Sequence, residues 1–241
     1  LHLSLRRQRQ MCIRDRSNKL LVFTKESNIP IWRLDGSWRA LDISSNGSCI
    51  ALQNLRDVYM YEGFSGVRLW RREINTKRLL SLDLSSDGKY LATSGEEKKL
   101  YLLDGASGKT LWTYQASQDV YPQFAPSNKY IATVADNQIC IFSVSENQPI
   151  WNYDFDESIY SLSISADAQF IAVVTENGKV ILLSKNKSTP LWFYQAKYPF
   201  AKVVVTPEGD HIFAANFIGE IYHFSPTIET PSDIIKIDDG I

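Results

Sequence analysis

The chain has 241 residues, 26 basic and 27 acidic side chains, and a hydrophobic fraction of 44%. That near-neutral balance does not suit a nucleic-acid binder, whose affinity comes from Lys and Arg neutralising phosphates. No apolar run reaches the roughly 18 residues that a membrane-spanning helix needs, and the length suits one large all-β domain.

The first residues, LHLSLRRQRQMCIRDR, resemble nothing that follows them. They hold five arginines and one acid, with no apolar period and no turn chemistry. Arg6 to Asp15 is the ungapped translation of CGT-CGG-CAG-CGT-CAG-ATG-TGT-ATA-AGA-GAC, which resembles a transposase adapter used to build sequencing libraries. The competing reading of an Arg-rich start is a transit peptide or a basic binding patch, but these want an amphipathic helix or a following apolar stretch. Residues 1–16 are therefore read as a sequencing-adapter scar, disordered and without packed contacts, and 17–241 as the folded domain. Without the scar the chain keeps 21 basic and 26 acidic residues, a net charge of −5.

The domain opens with two strands, KLLVFTKE and PIWRLD. Five four-stranded units follow, starting near Trp38, Leu79, Asp119, Ile159 and Phe200. In the second of these, alternation of Leu80, Leu82 and Leu84 marks an inner strand, SSDG a turn and KYLATS a second strand; KKLYLLD, GASG and KTLWTY supply a third strand, a turn and an outer strand. Asp87-Gly88 and Asn177-Gly178 are dipeptides suited to the positive φ that tight hairpins require. The last unit ends in SPTIETPSDIIKIDDGI, which lacks a Trp and carries Pro226 and Pro231. No segment has helical spacing.

The units repeat. PIWRL, RLWRR, TLWTY, PIWNY and PLWFY place Trp32, Trp70, Trp112, Trp151 and Trp192 about 40 residues apart, and Ala51, Ala92, Ala132, Ala172 and Ala214 keep the same beat. A period near 40 filled with short strands signals propeller blades, each a four-stranded antiparallel sheet. The phrase S-D-G-K-Y-L-A followed by G-K-T-L-W resembles WD-repeat and pyrroloquinoline-quinone-like β-propellers over residues 17–241. The Gly-His and Trp-Asp dipeptides of WD repeats are absent, and the Trp phrases look more like the tryptophan-docking strands of quinoprotein propellers. The opening pair supplies only the outer half of a blade, and nothing after DIIKID remains to complete it. About five and a half blades of a seven- or eight-bladed ring are therefore expected, with the edge of Lys19–Lys25 unpaired and the isolated fragment self-associating.

Few residues point to chemistry. The repeated Trp side chains suit wedging between blades better than caging a ligand. Along the inner strands, Asp42, Asp83, Gln123, Ser163 and Val204 form one column; its two carboxylates read as acceptors for neighbouring backbone donors rather than as a metal or acid–base pair. Pairing Phe213 with Tyr222 would send His211 and His223 to opposite sheet faces, so no shared metal is expected there. Cys49 and Cys140 read as buried free thiols. The N-x-S triplets at Asn46 and Asn186 fall in turns and carry no argument for secretion. No nucleophile elbow, phosphate loop or zinc motif is present, and no catalytic, cofactor or metal residue is assigned.

What remains are the loops from each outer strand to the next inner strand, such as RREINTKR, TYQASQDV, NYDFDES and FYQAKYPF. Loops on a rigid scaffold commonly carry recognition, and Tyr, Trp and Arg are enriched in interface hot spots. Trp38, Arg78, Asp119, Tyr121, Tyr160, Tyr198 and Phe200 are the candidate contact residues; capping of their own blades is the competing role. The expectation is a non-catalytic scaffold for a protein or peptide partner. Its alternatives are a fragment of a quinoprotein-dehydrogenase-like enzyme or of an envelope assembly propeller. The resemblance transfers no enzyme site, because the quinoproteins' vicinal cysteine pair and calcium ligands have no match here.

Overall fold

The computed structural model describes residues 10–14 and 19–237. Among them there is no helix. A three-stranded sheet comes first: β1 (Gln10–Arg14), β2 (Lys19–Thr24) and β3 (Trp32–Asp35). Two four-stranded sheets follow in sequence order: β4 (Ala40–Ile43), β5 (Cys49–Gln53), β6 (Asp57–Glu62) and β7 (Arg68–Glu73), then β8 (Leu79–Leu84), β9 (Tyr90–Gly95), β10 (Lys99–Asp104) and β11 (Thr110–Gln115). The next sheet holds β12 (Tyr121–Phe124), β13 (Tyr130–Ala135), β14 (Gln138–Ser143) and β15 (Pro149–Asp154). The last two hold β16 (Ile159–Ile164), β17 (Phe170–Thr175), β18 (Lys179–Ser184) and β19 (Trp192–Gln195), then β20 (Phe200–Val205), β21 (Ile212–Asn216), β22 (Glu220–Ser225) and β23 (Ile228–Lys236). The strand starts agree with the repeat read from the sequence, and the fold is a β-propeller of four-stranded antiparallel blades.

The chain forms two compact units, residues 1–124 and 125–241. In the first, Leu20, Val22, Ile43, Ile50 and Leu52 form one buried cluster and Val58, Met60, Leu79, Leu84, Leu91 and Leu103 another. In the second, Ile139, Ile141, Ile164, Ile171 and Val173 fill one cluster and Val180, Leu182, Phe200, Val203, Ile212 and Phe224 the next. Middle strands such as β17 and β18 are buried on both faces, so they read as near-continuous Val, Ile and Leu, whereas outer strands such as β7 and β15 alternate.

One turn is repeated five times between inner and second strands, closed by a bond from the fourth residue's N–H to the first residue's carbonyl in SSNG, SSDG, APSN, SADA and TPEG. Its last position needs positive φ, met by glycine at Gly47, Gly88 and Gly209, by Asn128 and, at φ 56°, by Ala168. In four of the five, the first residue's hydroxyl accepts from the backbone N–H five residues on: Ser44 from Cys49, Ser85 from Tyr90, Ser165 from Phe170 and Thr206 from His211. The hydroxyl therefore replaces a missing ladder bond, which is why this position is Ser or Thr.

The opening sheet differs from expectation. The edge of β2 is not unpaired: β1 lies antiparallel along it, Gln10 opposite Thr24 and Arg14 opposite Leu20. Residues 10–14 therefore do meet the propeller, contrary to a segment without contacts. The physical reason is that an edge strand offers backbone donors and acceptors to any extended segment, whatever its side chains. Residues 1–9, 15 and 16 lie outside the described residues.

Candidate partner-binding loops

The tryptophans are structural, and a β-bulge aims three of them. Met60 pairs with Trp70 but Tyr61 with Arg68; Leu102 pairs with Trp112 but Leu103 with Thr110; Ile141 pairs with Trp151 but Phe142 with Pro149. The extra residue each time is the aliphatic one before the Trp. An inserted residue bends the strand and increases its twist, and the exposure of Leu69, Leu111 and Ile150 shows where that residue goes. Trp32 Nε1 donates to the Gly63 carbonyl and Trp70 Nε1 to the Gly105 carbonyl, both at 2.8 Å, and Trp192 Nε1 to that of Pro226 at 3.0 Å. The rings of Trp32 and Trp70 lie on Gly66 and Gly108, where an added Cβ would come within 2.7 and 2.8 Å of indole carbons.

The inner-strand column acts as read. Asp42 Oδ2 accepts from the backbone N–H of Leu84 at 2.8 Å, and Asp83 Oδ2 from that of Phe124 at 2.6 Å. Ser163 Oγ repeats the contact with Val205 N–H at 3.0 Å. Each side chain thus ties one inner strand to the next, about forty residues on, and a neutral hydroxyl serves where a carboxylate did.

The loop candidates separate into two groups. Trp38 is buried, edge-on to Tyr59 with ring centroids 5.2 Å apart. It folds back over Gly36, where any Cβ would come within 2.6 Å of its ring. Phe200 is also buried, edge-on to Tyr222 at 5.1 Å. Both are core residues rather than contact residues, because a large apolar side chain at the first inner-strand turn gains more from burial than from exposure. Asp119 is half-buried. Arg78 is exposed, pairs with Glu96 at 2.7 Å, and with Arg39, Leu79 and Leu80 lines a shallow opening.

Tyr121, Tyr160 and Tyr198 stay exposed. Tyr160 meets Phe217 edge-on, centroids 5.6 Å apart, and Phe217 and its neighbour Ile218 are 61% and 53% exposed, so the three form a bare aromatic–aliphatic group. Lys197 stands over the Tyr198 ring. Tyr160 is also the residue left out of register between Ile159 and Ser161, so the backbone pushes it outward. Phe217 and Ile218 were not among the sequence candidates; their signal was an apolar pair inside a turn, where polar residues are usual.

Of the thiols, Cys140 is buried, and that burial pushes its pKa up to about 11, so it stays protonated and inert. Cys49 is half-buried. The histidine expectation fails: Phe213 pairs with His223, not Tyr222, and His211 Nδ1 lies 2.9 Å from His223 Nε2. A register change of one residue exchanges the two faces of a strand.

Residues 54–165 match the family model described as outer membrane protein assembly factor BamB, a quinone-type propeller repeat. The chain also superimposes on the β-propeller domain of Cps50 (Swd1) from Myceliophteria thermophila with a TM-score of 0.68, at 14% identity, covering 85% of this chain and 73% of that one. The chain is a β-propeller whose residues 54–165 are similar to PQQ-like repeats. Comparison of this propeller with curated proteins gave no significant match. At 14% identity the Swd1 likeness speaks to the fold alone.

Proposed function

We propose that this propeller is a non-catalytic scaffold that binds a protein or peptide through the loops entering its inner strands and the adjoining middle turns. The observation that carries this reading is the exposed group of Tyr160, Phe217 and Ile218, with Tyr198 on a nearby entry loop of the same unit. Large rings left bare on loops of a rigid sheet cost solvation free energy in the free protein and regain it when a partner covers them. The sequence given holds no adjacent cysteines and no catalytic motif, which supports the binding reading over the enzyme alternative. An envelope assembly role is the second reading, supported by the BamB match over residues 54–165.

A photo-crosslinking amino acid placed at Tyr160 in cells, with Leu69 on an outer strand as control, tests the reading. A discrete adduct of one partner at position 160, absent at 69 and lost with Phe217→Ser, is the expected result. Equal labelling at both positions, or none at 160, would overturn it. Saturable binding of calcium and quinone by the purified chain would restore the enzyme alternative.

A further inference from the structure

The corrected register of the last blade brings together groups that no part of the binding reading uses. His211 begins the stretch that enters β21 and His223 lies on β22; their facing nitrogens, Nδ1 and Nε2, are 2.9 Å apart. Each outer nitrogen has its own partner. Ser232 Oγ lies 3.0 Å from His223 Nδ1 and donates its hydrogen to the His223 carbonyl at 3.1 Å. When the Ser232 hydroxyl donates to Nδ1, His223 Nε2 carries a hydrogen; when it accepts from Nδ1, Nε2 keeps a lone pair. On the other ring, the Asp210 carboxylate stands 3.7 Å from His211 Nε2 and is itself held by the Thr206 hydroxyl. A carboxylate favours an N–H at that nitrogen, which leaves His211 Nδ1 with its lone pair. In the metal-free chain His223 Nε2–H donates to His211 Nδ1 across this gap; moving that hydrogen to His223 Nδ1, where Ser232 accepts it, turns two lone pairs toward a cation between the rings.

We infer that His211 and His223 form a two-imidazole chelate for a borderline divalent transition metal, copper(II) or nickel(II) before zinc(II). Metal–imidazole bonds are about 2.0–2.1 Å, so two such nitrogens subtending roughly a right angle are about 2.9 Å apart. Near-right angles belong to tetragonal and octahedral ions, whereas tetrahedral zinc would need the nitrogens spread by about half an ångström. The outer partners match the usual arrangement of metal-bound histidines, whose second nitrogen donates to a carboxylate or another oxygen. Among the described residues no group of three or more His, Cys, Asp or Glu could hold an ion, so water completes the coordination and the site is open. The stacking of Phe213 on His223, with centroids 4.7 Å apart, holds the second ring in place.

The test is titration of the full chain with nickel(II) or copper(II) alone, followed by calorimetry and, for copper, by electron paramagnetic resonance. The inference predicts one tight equivalent, a copper spectrum with two imidazole nitrogens, loss of that equivalent in His223→Asn and in His211→Asn, and about tenfold weaker binding in Asp210→Asn. Asp210 and His211 are exposed and His223 is half-buried, so the metal-free melting temperature of each variant, with His211→Asn and Asp210→Asn expected at the wild-type value, separates lost binding from lost folding. Wild-type binding no tighter than that of the double His211→Asn, His223→Asn variant would overturn the site. So would a one-nitrogen copper spectrum, since His2 and the three cysteines could produce it without the pair.

Discussion

The second blade-forming sheet and the last one close their middle hairpins with the same four groups in different residues. In the β4–β7 sheet, Asp57 accepts from Asn54 Nδ2 and the Tyr59 hydroxyl, and Arg71 grips it through Nε and Nη2 at 3.0 and 3.1 Å. In the β20–β23 sheet, Glu220 accepts from Asn216 Nδ2 and the Tyr222 hydroxyl, both at 2.9 Å, and Lys236 stands 3.3 Å away. Asparagine where the second strand ends, an acid at the start of the third strand, tyrosine two residues later and a base on the outer strand recur. The longer acid is matched with a point charge and the shorter acid with a planar fork. The comparison teaches that the repeat preserves a geometry of donors around one carboxylate while letting the acid and its base change together.

Removing the acid should break the comparison most visibly. Asp57→Ala removes the acceptor that Tyr59 and Arg71 share, leaving Asn54 its bond to the Tyr59 hydroxyl, and should cost about 2 kcal/mol in urea unfolding, from hydrogen bonds worth about 1 kcal/mol each. Glu220→Ala should act in the same direction but less, because a single lysine contact replaces a bidentate one. Equal effects would mean that the arginine fork adds nothing.

Acid should distinguish wild type from the variants next. Burial pushes the Asp57 carboxyl up, but hydrogen bonds from Arg71, Asn54 and Tyr59 and the charge of Arg71 outweigh it and hold it below the usual carboxylate range. Hydrogen bonds from Tyr222 and Asn216, with Lys236 beside it, hold Glu220 low against a smaller opposing effect of burial. A carboxyl whose value is lowered on folding stabilises the protein above its unfolded value and loses that contribution as pH falls through the folded one. Wild type should therefore lose stability steeply below about pH 4, and Asp57→Asn should flatten that part of the curve. An unchanged slope would place the acid sensitivity elsewhere.

The smallest effect concerns the exchange of bases. Arg71→Lys should lower the melting temperature slightly by losing one of two parallel bonds, while Lys236→Arg should leave it unchanged. On the alkaline side, burial together with Glu220 pushes Tyr222 up to about 12. Its phenol should remain protonated when exposed tyrosines ionise, in an absorbance titration compared with Tyr222→Phe.

Strand order, blade starts and the role of the tryptophans were legible because they rest on signals that repeat: one Trp, one small residue and one turn per unit. The column through Asp42, Asp83 and Ser163 was legible for the same reason. What escaped depends on single contacts. The position of Trp38 turns on Gly36, whose missing side chain lets the indole fold inward. The His211–His223 pair turns on the connection between β21 and β22, where Asn216 accepts from Ile218 and Glu220 and sets Ala215 opposite Ile221. Pairing one residue away satisfies the apolar pattern equally well on a strand with mixed faces, so the sequence alone does not choose between the two. Phe217 and Ile218 escaped because their meaning lies in exposure, which only a folded chain reveals.

The central claim is that the bare aromatic group around Tyr160 serves a partner rather than the fold. The direct measurement is the paired Tyr160→Ser, Phe217→Ser variant, followed by thermal unfolding and by titration against the partner captured at position 160. The account predicts an unfolding midpoint within error of wild type and partner binding weakened by tenfold or more, since hot-spot residues each contribute at least about 2 kcal/mol. A lowered midpoint with unchanged affinity would contradict it and return these rings to the role of capping their own blades.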